Sequence, residues 1–381
     1  MKSAKFLKEK YGLNDNPFLD GIAKPEWLQA WTDREAQVKE WQRIMANAIT
    51  GKKNFMSFII GDYGRGKSQS LLKIREDSSQ YKGMFSTYLN FKGEEKSKPG
   101  LDFVMRIFKS IDFETLKKEV NKQVLYEALK GLPDEFDEVK SVLMKIFMEN
   151  EDKKLAIYFL KGEIKPTKAQ LEKLGVLRKI DDIDIAKEYL AGFLIFLRKL
   201  GCQSLLLAVD EFEYLFSLVT RSQYNIYLAL LRGLYDFPMG LNKKMPTGSF
   251  ANMVFFIAVS EDGYRRLKEL EKQENVGGGG PSQPLMDRID AEITLGAFDR
   301  KSTELLVENR LKFNRIKGKF EDKPLIPFTE DFVDFIYKKT NGELGEIIYL
   351  CSQVLDVGLE KGITQLNADF AQKALDERSV S

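Results

Sequence analysis

The sequence contains no histidine. Without imidazole there is no Ser-His-Asp or Cys-His nucleophile system and no histidine-ligated metal site. Any chemistry must use carboxylates, lysine, arginine, hydroxyls and a hard cation such as Mg²⁺, and phosphoryl transfer is the large reaction class that needs only those groups. Cysteine is scarce as well: Cys202 and Cys351 stand beside apolar sequence without a CxxC partner, as expected of buried thiols in a reducing cytoplasm. The longest apolar run, Leu190–Leu197, falls far short of the roughly 20 residues of a membrane span. The opening MKSAKFLKEKYG lacks the apolar stretch of a secretory signal. A cytoplasmic protein with no membrane partner is the expectation. Excess charge is missing too: 59 basic residues face 57 acidic ones, a net +2, which neither demands nor excludes nucleic acid.

What is present suffices for two or three domains, since 381 residues at 43% hydrophobic content can bury a sizeable core. Five apolar, β-branched or aromatic runs read as buried strands: Phe55–Ile60, Phe85–Phe91, Leu205–Val209, Met253–Val259 and Glu292–Leu295. Helical patterns separate them, which predicts an α/β fold with a parallel sheet. From about 101 to 200 the pattern is almost purely helical, with Leu101, Val104, Ile107 and Phe108 at helical spacing, so an insertion separates the second and third strands. After Phe298 only helices are predicted, at about Arg300–Asn314, Thr329–Thr340, Leu344–Glu360 and Asn367–Glu377. The expected organisation is a lead-in over 1–50, a nucleotide-binding core over 51–298 and a small all-α domain over 299–381. The run Gly277–Gly280 precedes Pro281, not a lysine, and reads as a surface loop.

The chemistry begins at FIIGDYGRGKSQSLLKI. Gly61, Asp62, Tyr63, Gly64, Arg65, Gly66, Lys67 and Ser68 form a P-loop between a strand and a helix, with Gln69 following. Glycines let backbone N–H groups turn inward around phosphates, and the helix N-terminus adds its positive dipole end. Lys67 is expected on the β- and γ-phosphates of ATP and Ser68 on Mg²⁺. SLLLAVDEFEYLF supplies the second half. Asp210 ends an apolar strand, where a carboxylate holds Mg²⁺ through water, and Glu211 is expected to orient and deprotonate the attacking water. Glu213 reads as solvated surface. Ser260 closes the next strand and has two readings, a contact to the γ-phosphate or attacking water, or an N-cap for the helix that follows. Arg288, a few residues before the last strand, is either an arginine finger for a neighbouring subunit or a salt-bridged surface residue.

With these pieces the chain resembles AAA+ P-loop ATPases of the initiator-type branch. Tyr11-Gly12-Leu13, Asn16-Pro17-Phe18 and Asp33-Arg34-Glu35 resemble the lead-in of origin-recognition and transposition-regulator ATPases, which lies near the adenine in those families. The resemblance makes the Ser260 strand the sensor-1 region, the Arg288 segment the arginine-finger region and the C-terminal helices the lid. A closer similarity is to the BREX phage-exclusion ATPases of the BrxC/BrxD-like group, carried by IIGDYGRGKSQSLL, YFLKGEIKPTKAQLEKLGVLRKI and LRKLGCQSLLLAVDEFEYL with Leu231–Asp236. Two departures stand out. TNGELGEIIYL has Gly345 where initiator-type ATPases carry a sensor-2 arginine, and no winged-helix domain is expected after the lid.

The resemblance implies an oligomeric ATP-driven switch or motor, a ring or filament, that acts on double-stranded DNA with other proteins of a defence or mobile-element system. A replication initiator or helicase loader is the alternative, and a signalling ATPase with protein partners the other. Basic residues concentrate at Lys92, Lys96 and Lys98, at Lys243-Lys244, and at Lys312, Arg315, Lys317 and Lys319. Each group by itself reads as a solvated face, but repetition in an oligomer makes a track for DNA phosphates. Trp27, Trp31 and Trp41, with Tyr11 and Phe18, read as packing residues, with adenine stacking as the other use of the tryptophans.

Overall fold

A computed structural model describes residues 2–19, 21, 23–51, 53–91, 99–148, 150–212, 221–236, 248–273 and 283–379. Five strands, β1 (Phe55–Ile60), β2 (Met84–Asn90), β3 (Ser204–Asp210), β4 (Asn252–Val259) and β5 (Ala291–Thr294), form one sheet in the order β2-β3-β4-β1-β5. The pairs β2–β3, β3–β4 and β1–β4 are parallel. In β1 and β3 every residue is buried, because a parallel sheet is covered on both faces; this is why those strands read as near-continuous apolar runs and do not alternate. At the sheet edge, β2 is only partly buried.

Two compact units are distinguished: residues 39–60 with 74–293, and residues 1–38 with 61–73 and 294–381. The first holds β1 to β4, most of β5 and the helical insertion. Insertion helices run from Pro99 to Lys199, and their starts follow local chemistry. Asp112, Asn121 and Asp182 accept backbone N–H bonds as N-caps, while Thr167 and Gln170 form a capping box. The long helix Ile183–Lys199 is mostly buried, including Phe193 and Phe196, and accounts for the apolar run at 190–197. Trp41 belongs to this unit's core and donates Nε1 to the buried Asp77 at 2.9 Å.

The second unit is built on helices Arg300–Asn314, Glu330–Thr340, Leu344–Lys361 and Ala368–Ser379. Tyr11 and Phe18 pack in its core, and Tyr11 Oη donates to Ile363 O at 2.5 Å. Asn16 Nδ2 donates to Ser352 Oγ and Asp356 Oδ1 at 3.2 and 3.0 Å. The Y-G-L and N-P-F lead-in is thereby stitched to the all-α helices. Among the described residues no helix is long and apolar enough to cross a membrane. Gly277–Gly280, Glu213, Lys92, Lys96, Lys98, Lys243 and Lys244 lie outside the described residues.

Candidate nucleotide site

The Gly61–Ser68 loop follows β1 directly, and its conformation favours glycine at two positions. Gly64 and Gly66 have φ of 79° and 89°, a left-handed backbone that costs other residues roughly 1–2 kcal/mol each. At Gly61 a Cβ would meet Leu295 O at 3.1 Å. Lys67 bends back so that Nζ donates to Gly61 O at 2.8 Å and Asp62 O at 3.2 Å. Helix Lys67–Ser78 begins there, with Ser70 N donating to Gly66 O at 2.8 Å, and half-buried Ser68 and Gln69 lie in its first turn. Gln69 clasps the lead-in, accepting from Lys24 N at 3.1 Å and donating to Lys24 O at 3.2 Å. Asp62 and Tyr63 face outward, Tyr63 almost wholly exposed.

Beside the loop is a cavity lined by Trp27, Trp31, Arg34, Gly66, Phe298 and Arg310, among others. The Arg310 guanidinium lies 3.9 Å from the Trp27 ring centroid and also donates to Pro17 O at 3.0 Å. Arg34 is buried over the Phe298 ring, and its Nη2 donates to Arg65 O at 3.3 Å. Burial and, secondarily, the nearby Arg65 bring its pKa down to about 10 against the opposing pull of Asp33, which leaves it charged at neutral pH. Asp33 and Arg34 both adopt positive φ, 58° and 70°. Two consecutive non-glycine residues in that region cost about 1–3 kcal/mol each unless their surroundings hold them, and the Arg34 contacts and the Ser302 hydroxyl bonded to Asp33 do so.

Asp210 is buried at the C-terminal end of β3. Parallel registers pair Val209 with Ile257 and Ile60 with Val259, so Asp210 and Ile60 end at one edge of the sheet, the edge from which Gly61 continues. Ligands of open α/β sheets bind at such an edge. Asp210 Oδ1 accepts from Glu211 N at 2.9 Å, and Oδ2 accepts the hydroxyl of Tyr88 from β2. Glu211 is half-buried with φ of 57°, a left-handed step that turns the chain sharply off the strand.

Ser260 Oγ accepts from Gly263 N at 3.0 Å and caps helix Glu261–Gln273. Its hydroxyl proton is still a donor, so capping and a contact to phosphate are compatible. Arg288 makes a two-pronged pair with Asp236, Nε to Oδ1 at 2.8 Å and Nη2 to Oδ2 at 2.7 Å, and that hydrogen bonding raises its pKa. Arg315, counted above with the basic cluster, is turned inward. It donates to Tyr11 O and Ile326 O at 2.8 Å and to Pro324 O at 2.7 Å, and burial lowers its pKa. Lys319 in the same cluster reaches Lys8 O at 3.1 Å. Sequence reasoning did not single out Tyr88, Glu343 or Arg310. Nothing in STYLNF announces a partner for Asp210, whereas the buried arginine in LLVENRLKF is a signal that an apolar helix face carries a charge with a purpose.

The model of the family described as BREX system ATP-binding protein BrxC/D matches residues 111–348. That stretch includes Asp210, Glu211, Ser260 and Arg288 but not Gly61–Ser68. An uncharacterized HTH-type transcriptional regulator of Methanocaldococcus jannaschii is 27% identical over 100 residues, 26% of this chain and 24% of that protein. The match thus spans about a quarter of the curated relative's length. The Aeropyrum pernix ORC2 protein in its ADP form is similar with a TM-score of 0.51 and 14% identity, over 96% of this chain and 73% of that one. Its ADPNP-ADP complexes give 0.50 and 14%, over 95% and 71%. At that identity the likeness is one of fold.

Proposed function

The chain belongs to the BREX-system BrxC/D ATP-binding family, and from that premise we propose that it hydrolyses ATP with Mg²⁺ as an oligomeric AAA+ switch or motor acting on DNA in phage defence. The observation that carries the catalytic part is the Gly61–Ser68 loop, with its left-handed glycines and the Lys67 ammonium held on loop carbonyls. Such a loop at a helix start attracts phosphates. Lys67 exchanges Gly61 O and Asp62 O for β- and γ-phosphate oxygens. Ser68 and Asp210 are the residues to hold Mg²⁺, which when bound neutralises charge on the phosphates. Glu211 takes the proton of the attacking water, while Ser260 donates its free hydroxyl toward the γ-phosphate. The nucleobase is assigned to the cavity of Trp27 and Arg310 beside the loop, where stacking on Trp27 would displace the Arg310 guanidinium from its ring. Arg288 serves a neighbouring subunit once assembly draws it from Asp236.

Two variants test this. Lys67→Ala is expected to weaken ATP binding by about 100-fold or more, because the charge on the transferring phosphates is lost. Glu211→Gln is expected to bind ATP within about 2-fold of the parent yet slow turnover by about 10²-fold or more, the scale of one general base. Equilibrium binding and phosphate release decide the matter, and parent-rate hydrolysis by Glu211→Gln would overturn the assignment.

A further inference from the structure

The position of the missing sensor-2 arginine has a specific structure. Gly345 is the second residue of helix Leu344–Lys361, and its N–H donates to Gly64 O at 3.0 Å. A Cβ on Gly345 would come within 3.1 Å of Gly64 Cα, and one on Gly66 would meet Leu344 Cδ2 at 2.9 Å. The first turn of this helix therefore rests on the Gly64 backbone, and a side chain at 345 would fit only if the two gave way by a few tenths of an ångström. The residue that precedes the helix, Glu343, reaches back instead. Its Oε1 is 2.5 Å from Arg65 Nη2, with side-chain exposures of 30% and 15% respectively. Arg65 Nε and Nη1 are buried with no hydrogen-bond partner.

A guanidinium has five N–H donors arranged to match carboxylate or phosphate oxygens in pairs. Arg65 engages its lid partner through Nη2 while two buried groups go unused, and it lies within the loop that would surround phosphate. Phosphate offers more oxygens and more negative charge than one carboxylate. We propose that Arg65 is a nucleotide-responsive latch: Glu343 holds it in the nucleotide-free chain, and phosphate bound in the loop competes for it and releases the start of the lid helix. The lid would then respond to nucleotide through a loop arginine and a lid carboxylate, reversing the usual placement in which the lid supplies the arginine. This inference rests on the reading of Gly61–Ser68 as the ATP site.

Competition and mere support predict opposite signs. Glu343→Gln removes the competing charge with almost no change in shape. If the pair is a latch, Glu343→Gln should lower thermal stability without nucleotide yet bind MgATPγS about 3- to 10-fold more tightly by calorimetric titration. Hydrogen exchange at residues 344–348 should rise with MgATPγS in the parent and be insensitive to it in the variant. In an Arg65→Gln background, Glu343→Gln should change affinity by less than about 1.5-fold, because there is nothing left to release. Weaker or unchanged MgATPγS binding by Glu343→Gln, beside a parent that binds and a Lys67→Ala variant that does not, would overturn the latch and leave the ATP site standing. A parent that fails to bind MgATPγS would instead remove the reading on which the latch rests.

Discussion

The phenol of Tyr88 donates a hydrogen bond to Oδ2 of Asp210 across the β2–β3 boundary. In this register Asn90 is opposite Asp210, so Tyr88 reaches the carboxylate from two residues earlier on the neighbouring strand. With Glu211 N on Oδ1, both oxygens of the acid have a donor within the sheet edge itself. A buried carboxylate held in this way keeps one orientation, as the Mg²⁺ role proposed for Asp210 would require.

Tyr88→Phe is expected to remove that restraint and little else, since the ring volume is kept. A hydrogen bond to a charged group is worth about 1.5–3 kcal/mol. Turnover should therefore fall by about 10-fold or more, and the Mg²⁺ concentration for half-maximal activity should rise, while ATP binding in excess Mg²⁺ changes by less than about 3-fold. Steady-state phosphate release across a Mg²⁺ titration reads both effects.

The Arg288–Asp236 pair permits a clean separation of two roles. If Arg288 acts in a neighbouring subunit, Arg288→Ala binds ATP normally and hydrolyses it slowly, whereas Asp236→Ala, which frees the arginine, retains turnover. Mixing Arg288→Ala with Lys67→Ala protein should restore some activity through sites that combine an intact loop with an intact finger. Were the pair only structural, both single variants would lose similar small amounts of stability, of order 1 kcal/mol or less for a part-exposed pair. Mixing would then restore nothing in oligomers verified by light scattering.

DNA binding by the assembled protein should run through phosphates, without sequence preference. Affinity is then expected to fall steeply with salt, with a log–log slope of about −0.9 per phosphate neutralised. Lys243→Glu with Lys244→Glu should flatten that slope and leave ATP affinity unchanged. Arg315→Ala, by contrast, should act on folding stability, since its donors are committed to backbone carbonyls. The titration is best made with Glu211→Gln protein held with ATP. Well-formed oligomers that ignore DNA at low salt would redirect the reading to a signalling ATPase with protein partners.

Gly342→Ala tests the junction ahead of the lid helix. Gly342 has φ of 76°, and a Cβ there would fall 1.9 Å from Phe298 O, a backbone atom that cannot step aside. Strain and displacement together should cost about 2–4 kcal/mol, measured as a lowered denaturation midpoint with an unchanged slope.

The sheet and the lid were legible because their signals are local. Parallel strands buried on both faces are apolar at nearly every position, so Phe55–Ile60, with only Ser57 polar, and Leu205–Val209 declare themselves within a few residues. Lid helices Arg300–Asn314 and Leu344–Lys361 carry their periodicity and their stops in the same window. The Gly61–Ser68 turn is legible for a related reason, because its backbone conformation is one that glycine adopts cheaply, and the demand is written into the residue types. Partner choice is of another kind. Tyr88 finds Asp210 from 122 positions away and Arg288 finds Asp236 from 52. Glu343 finds Arg65 because Gly345 lets two backbones touch. Ser260 as a cap and Arg315 as a buried brace are decided in the same way, by which carbonyls and amides the packed chain leaves within reach. Residue types and local spacing alone determined the elements and the chemistry available to them. Only the tertiary structure decided which charges meet, because that depends on strand register and backbone approach between segments far apart in sequence.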